Sequence, residues 1–375
     1  MTSNSTLNFC VGKDKLLQAL SYINSIVEKR HSIVVLSCVR IEAQDKKISL
    51  TSTDLDISIV ASISANVLVD GVIVVSAQLL YDIVRKLPND FEIKFTIGKD
   101  GRLTIECSRT EFSLPIVDIE KFPVIEHNEL QDKFTLQVSE LVNLFGKTKF
   151  AISAEESRFN LNGVYVHTSN GALCCAATDG HRLSLAKLSK VEDIVSDFGI
   201  IVPKKTVNEI LKIISHGNSS DPISISLSNR KICFEYKEYI LISKVIDGIF
   251  PDYNSIIPKS HDKNVLIDSE VLSNAIDRVS VVVFDKVKVI KLKFTDNKLI
   301  LSAASSDQGD AREELEIDTY STSEITIGLN ARYLMEALYC IKGKCHLSFY
   351  DANTAILIQE QDNDDAMYII MPMRI

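Results

Sequence analysis

The sequence predicts an α+β chain of three tandem similar domains, each with two helices packed on antiparallel sheets. Three observations predict this. Helix-start residues recur at Ser76, Pro203 and Asn330, each 127 residues after the last. Each is followed by the same apolar register: Leu79, Leu80, Ile83, Val84 and Leu87; Thr206, Val207, Ile210, Leu211 and Ile214; Tyr333, Leu334, Ala337, Leu338 and Ile341. That spacing covers one face of a helix. Strand-like alternation with a period of two then follows each helix, which places one face of a sheet on a core.

Taken in order, each copy opens with an apolar strand and a helix, over 9–27, 134–150 and 265–283. A strand with a polar end comes next, as Ile48–Asp54, Leu173–Asp179 and Leu299–Ser305. The second helix of each copy starts at Ser76, Pro203 or Asn330; Ser and Asn are good N-caps, and Pro is tolerated in a first turn. Alternating strands close each copy: Ile93, Phe95, Ile97 with Leu103, Ile105, Cys107; Ile223, Ile225, Leu227 with Ile232, Phe234, Tyr236; Leu347, Phe349 with Ile356, Ile358. Proline and charge interrupt the pattern near 118–132 and 256–263. The predicted domains are 1–131, 132–261 and 262–375. Each copy is domain-sized and the end copies lack polar caps, so a closed array, through a symmetric dimer, is favoured over a solenoid.

The bulk composition narrows the classes of function. Apolar residues make up 46% of the 375, enough for three cores. No apolar run reaches the roughly 18 residues of a membrane span, and the polar start of the chain does not read as a signal peptide. The eight cysteines form no C-x-x-C pair and read as reduced core residues of a cytoplasmic protein. The histidines do not cluster at ligand spacing, and phosphate-binding glycine motifs are absent, so no metal and no cofactor is expected. A net charge of −9 excludes tight binding of nucleic acid by the surface as a whole. Lysines and arginines near the helices, Lys204 and Lys205 among them, still allow a locally basic face, with acidic residues interleaved.

One stretch looks chemical: Thr178-Asp179-Gly180-His181-Arg182-Leu183. An Asp two residues before a His can orient a general base. Ser184 nearby has no glycine elbow to make it a nucleophile, and Asp-Gly is a hairpin signal. A binding-site turn carrying an imidazole and a guanidinium is therefore favoured over a hydrolase. The tail Met371-Pro372-Met373-Arg374 follows a strand directly, and Met side chains offer adaptable apolar surface to a partner peptide.

Together with the three copies, Ala177–Leu183, Val202-Pro203-Lys204-Lys205, Asp247-Gly248-Ile249-Phe250-Pro251-Asp252-Tyr253, Leu161-Asn162-Gly163, Leu87-Pro88 and Met371–Arg374 resemble the β subunit family of bacterial DNA polymerase III, the β sliding clamps. The resemblance spans the whole chain with its motifs in order. It implies a head-to-tail homodimeric ring of six like domains, helices lining the hole, that encircles duplex DNA without sequence preference and without catalysis. It implies, as partners, the polymerase III catalytic subunit, an ATP-dependent clamp loader, and repair polymerases and other proteins carrying a clamp-binding motif, on the nucleoid in the cytoplasm. It implies a peptide pocket between the second and third domains, made of Leu161, Thr178, Gly180, His181, Arg182, Leu183, Pro251, Ile256, Asn330, Tyr333, Met371, Pro372, Met373 and Arg374. In that pocket apolar residues form a slot, with His181, Arg182, Asn330 and Arg374 as polar contacts at its rim. DNA contacts are carried onto Arg30, Arg158, Phe159, Lys204 and Lys205, and the subunit contact onto Phe112, Val281 and Val282. The chain departs from the family pattern at Asn160 and Val287, where aromatics are found, and at Ser255, where an Arg is frequent.

Overall fold

The computed structural model describes residues 7–27, 33–98, 100–123, 130, 132–189, 191, 197–258, 262–284, 288–319 and 324–374. Among these are six α-helices: α1 (Lys13–Ile26), α2 (Ala77–Lys86), α3 (Val138–Thr148), α4 (Lys204–Ile214), α5 (Ser269–Ser280) and α6 (Ala331–Leu338). The predicted starts carry α2, α4 and α6. Ser76 Oγ accepts the Leu79 N–H of α2, and Asn330 Oδ1 accepts the Arg332 N–H of α6, while Pro203 precedes α4. Each cap satisfies an otherwise orphaned first-turn donor. The buried face of α2 is Leu80, Ile83 and Val84; Leu79, in register with buried Thr206, instead faces out.

The chain divides into two compact units that do not follow the sequence copies. The first holds the described residues of Met1–Val138 with Lys205–Val245. Its eight-stranded sheet joins Tyr239–Lys244 of the second copy to Ile57–Ser64 of the first, antiparallel, with Leu241 opposite Ile59. A five-stranded sheet carries the stacked Phe9–Phe95 pair, 4.6 Å between centroids, and ends in the edge strand Thr110–Leu114. Helices α1 and α4 meet through side chains: Ser25 Oγ donates to Glu209 at 2.5 Å, and Lys212 lies over the Tyr22 ring.

The second unit holds Ser139–Glu192 and Ser196–Lys204, as far as they are described, with the residues from Ile246 onward. Its nine-stranded sheet joins Arg182–Leu188 to Asn363–Ile370, with Leu183 opposite Ile369. Its four-stranded sheet is Gly309–Glu316, Lys298–Ser305, Val289–Thr295 and Ile325–Asn330, in that order. In each unit a ladder of main-chain hydrogen bonds thus continues from one copy into the next.

All eight cysteines are free thiols, and six are buried. Burial pushes Cys233 and Cys345 up to about 12, so these thiols stay protonated and unreactive at neutral pH. No described helix is long and apolar enough to cross a membrane.

Candidate functional site

The hairpin between Ala172–Thr178 and Arg182–Leu188 builds the centre of the site. Thr178 Oγ1 donates to the Arg182 carbonyl at 2.6 Å and accepts the Gly180 N–H at 3.1 Å. Asp179 Oδ1 accepts the N–H groups of His181 (3.0 Å) and Arg182 (3.1 Å). Gly180 sits at φ +90°, where a side chain is strained, and a Cβ there would lie 2.7 Å from Arg158 Nη1. The carboxylate that could have oriented His181 as a base is occupied by the turn's own backbone and by Arg182. The His181 ring is exposed instead.

The first unit contains a second turn with the same bonds. Thr53 Oγ1 donates to the Ile57 carbonyl at 2.9 Å and accepts the Leu55 N–H at 3.0 Å. Asp54 Oδ1 accepts the N–H groups of Asp56 (2.9 Å) and Ile57 (2.8 Å). Leu55 takes φ +80°, the place of Gly180. The strand end beside each turn is bound alike: Met371 N–H to the His181 carbonyl at 2.9 Å, Lys244 N–H to the Asp56 carbonyl at 2.8 Å. The Thr-Asp pair is therefore a frame common to two copies. What belongs to the second copy alone is Gly180-His181-Arg182 facing Met371, where the first has Leu55-Asp56-Ile57 and an Asp56–Lys244 ion pair at 3.1 Å.

Arg182 is 7% exposed, and each of its three guanidinium nitrogens donates to a protein acceptor. Nε donates to Asp179 Oδ2 at 3.0 Å, Nη1 to Glu336 Oε2, and Nη2 to the Phe150 carbonyl at 2.6 Å. Its guanidinium lies 4.2 Å over the Tyr333 ring and 5.2 Å from that of Phe150. Glu336 also accepts from Arg332 at 3.0 Å. Arg182 thus ties the hairpin to the residues after α3 and to α6. The sequence places Arg182 and Asn330 at the rim as polar contacts. The structure differs: both are buried, Arg182 held by Asp179, Glu336 and the Phe150 carbonyl, and Asn330 used as the cap of α6. His181 and Arg374 are exposed.

Leu161 and Leu183 lie buried in one cluster with Phe250, Tyr253 and Ile369. Ile369 is one of the members that sequence reading missed; its pairing with Leu183 across the ladder comes from strands far apart in the chain. Phe250 stacks on Tyr165 at 4.9 Å, and Tyr253 Oη bonds His167 Nε2 at 2.8 Å. The Thr168 carbonyl can only accept, so His167 Nδ1 donates to it and Nε2 accepts from Tyr253. Burial lowers the His167 pKa and keeps the ring neutral. These anchors fix the segment that leaves Pro251 and Ile256 exposed. At the tail, Met373 N–H bonds the Gly328 carbonyl at 2.8 Å, Pro372 and Met373 are half-buried, and Met371 is exposed.

The remaining sequence candidates are dispersed. Arg158 pairs with Glu155 at 3.1 Å and reaches the Asp179 carbonyl at 3.3 Å, so it borders the Gly180 turn; Phe159 next to it is exposed. Lys204 is exposed, whereas Lys205 Nζ is held by Asp54 at 2.6 Å and the Ile26 carbonyl at 3.0 Å. Phe112 is half-buried on the edge strand of the five-stranded sheet. Val281 is exposed and Val282 half-buried just after α5, followed by the exposed Phe284, which sequence reading passed over. Arg30 and Val287 lie outside the described residues. Among the described residues no cluster of His, Cys, Asp or Glu is arranged to hold a metal.

Three family models match the chain in tandem: the N-terminal domain of the DNA polymerase III beta subunit over residues 7–126, its central domain over 135–252 and its C-terminal domain over 254–374. The chain is 36% identical to the beta sliding clamp of Caulobacter vibrioides, over 98% of this chain and all of that one. It is 33% identical to that of Rickettsia felis at the same coverage. Among solved structures it is similar to the C. crescentus beta sliding clamp (TM-score 0.94, 35% identity, 99% of this chain and 100% of that one). A Bartonella birtlesii sliding clamp bound to griselimycin matches with TM-score 0.95 and 32% identity over 99% of this chain and 100% of that one. With three tandem clamp domains and full-length relatives, the chain belongs to the DNA polymerase III beta subunit family, the non-catalytic sliding clamps of DNA replication.

Proposed function

We propose that this clamp, with domains at 1–131, 132–261 and 262–375, closes as a head-to-tail dimer around duplex DNA and docks its partners at the Gly180 turn. The observation that carries the docking site is the tail bonded to that turn: Met371 N–H binds the His181 carbonyl and its side chain is exposed, in the unit where Leu161, Leu183 and Ile369 share one buried cluster. An apolar floor with a few polar groups at its edge suits a short extended peptide ending in apolar residues. Leu161, Thr178, Gly180, His181, Leu183, Pro251, Ile256, Tyr333 and Met371–Arg374 contact the peptide, and Arg182 and Asn330 hold the walls. The occupants are the polymerase III catalytic subunit, the ATP-driven loader and repair polymerases, in the cytoplasm on the nucleoid.

For DNA, a net charge of −9 with scattered cations favours sliding, because each tight phosphate contact would have to be broken at every step. Lys204 is the better placed of its pair, since Lys205 is held by Asp54. Arg158 borders the Gly180 turn, which favours peptide over DNA as its neighbour. The subunit contact joins the edge strand at Phe112 to Val281, Val282 and Phe284 of a second copy.

Fluorescence titration with a Gln-Leu-x-Leu-Phe peptide tests the docking site, on the intact chain and on one lacking 371–375. Saturable binding lost with the tail is expected. Binding that survives the deletion refutes the pocket.

A further inference from the structure

We infer that Phe159 and Ile249 form an apolar shelf beside the proposed pocket, taking an apolar side chain that flanks the apolar end of the partner peptide. The inference rests on the pocket reading. Phe250 turns inward onto Tyr165, so the preceding residue is thrown outward, and Ile249 is 89% exposed. Phe159 is 56% exposed, and its ring carbon Cε2 lies 3.2 Å from where a Cβ on Gly248 would be. The glycine lets the ring close over the backbone beside Ile249. Asn160 Nδ2 holds the Ile249 carbonyl at 2.9 Å, and Arg158 binds the Asp179 carbonyl at 3.3 Å. The shelf is thus fixed at both ends, one of them the pocket turn.

Two large apolar side chains held at the surface cost solvation unless something covers them. The shelf continues the pocket floor: Leu161 follows Phe159 by two residues, Phe250 follows Ile249, and both lie in the cluster with Leu183. An isoleucine and an aromatic ring offer nothing to a phosphate. The neighbouring guanidinium is already paired with Glu155. The geometry therefore points to a peptide side chain as the occupant, with DNA as the competing outcome.

Fluorescence anisotropy with three peptides tests this: the Gln-Leu-x-Leu-Phe core, the core followed by two leucines, and the core followed by two serines. On the unaltered chain the leucine extension is expected to bind about tenfold tighter than the core, and the serine extension about as tightly as the core. Ile249→Ser removes only an exposed side chain; it should erase the leucine gain and leave core affinity intact. Core binding with no leucine gain, or with a gain that persists in Ile249→Ser, overturns the shelf and leaves the pocket standing. Weakened duplex-DNA binding in Ile249→Ser with the leucine gain retained assigns the surface to DNA and also overturns it. Failure of the core peptide to bind removes the pocket, and the shelf with it.

Discussion

Replacing Arg182 by Met tests whether that side chain is a latch within its unit. Methionine keeps much of the length but removes three donors, stranding Glu336 and the Phe150 carbonyl. Breaking a buried pair from one side costs about 3–5 kcal/mol. Two features place this case at the low end: Glu336 is partly exposed, and Arg332 already donates to it at 3.0 Å. Asp179 keeps both of its backbone bonds. Loss of the stack on Tyr333 adds about 0.5–1 kcal/mol. The expected loss is about 3 kcal/mol, or about 6–12 °C in the melting of the unit that holds Arg182. Calorimetry reads it, with Arg332→Ala as control; that side chain is exposed, and its pair is worth less than about 1 kcal/mol. A double-mutant cycle with Glu336→Gln should give a coupling of about 1.5–3 kcal/mol. If Arg182→Met melts within about 1 °C of the Arg332→Ala control, the latch is refuted.

Gly180→Ala should weaken peptide binding and cost about 1–2 kcal/mol, because the new Cβ is strained at φ +90° and displaces Arg158; unchanged affinity and melting would show that the turn relaxes freely. His167 gives a pH signature. Its folded pKa lies below the ordinary 6.5, so the unfolded chain binds the proton more readily. The stability from neutral His167 is complete above about 6.5 and is lost as pH falls below it, so the urea midpoint should drop from pH 7.5 to 5.5 more in the parent than in His167→Gln. Equal slopes would sink that assignment. Lys204→Ala should lower retention on DNA at low salt without changing the melting temperature, whereas Lys205→Met should destabilise the first unit by stranding Asp54; the reverse pattern would exchange their roles. Aspartates at Val281 and Val282 should give monomers by sedimentation, and a dimer mass unchanged by both would move the subunit contact elsewhere.

The helices were legible in the sequence because what starts and faces them is local. Ser76 and Asn330 cap within two or three residues, and a 3.6-residue period shows in any window of ten. The compact units were not legible, because they are set by pairing between distant strands. Nothing near Ile59 announces Leu241, and nothing near Leu183 announces Ile369. Arg182 shows the same limit at a single residue. Its type and its place in a polar turn suggest a solvent-facing contact. Its acceptors, the Phe150 carbonyl and Glu336, lie 32 and 154 residues away in the chain, and they turn the guanidinium inward.

The repetition that reveals the fold also separates frame from function. A motif met once invites a chemical reading, and Asp179 with His181 resembles an acid–base pair. The second occurrence, at Thr53-Asp54, binds its backbone in the same way with Leu55, Asp56 and Ile57 in the variable places. A carboxylate that serves a turn in both copies, and holds a cation with its other oxygen in each, needs no acid–base role to account for it. What the first-copy turn does not share is a glycine that keeps the turn open, an exposed imidazole, and Met371 bonded where the first-copy turn is met by Lys244, in an ion pair with Asp56. That pair places two charges beside the first-copy turn, and Leu55 adds a side chain where Gly180 has none. On the proposed reading, the same scaffold is closed to an apolar peptide at the Thr53–Ile57 turn and open to it at the Thr178–Arg182 turn. Function in this chain is therefore written in the differences between repeats, on a frame the repeats hold in common.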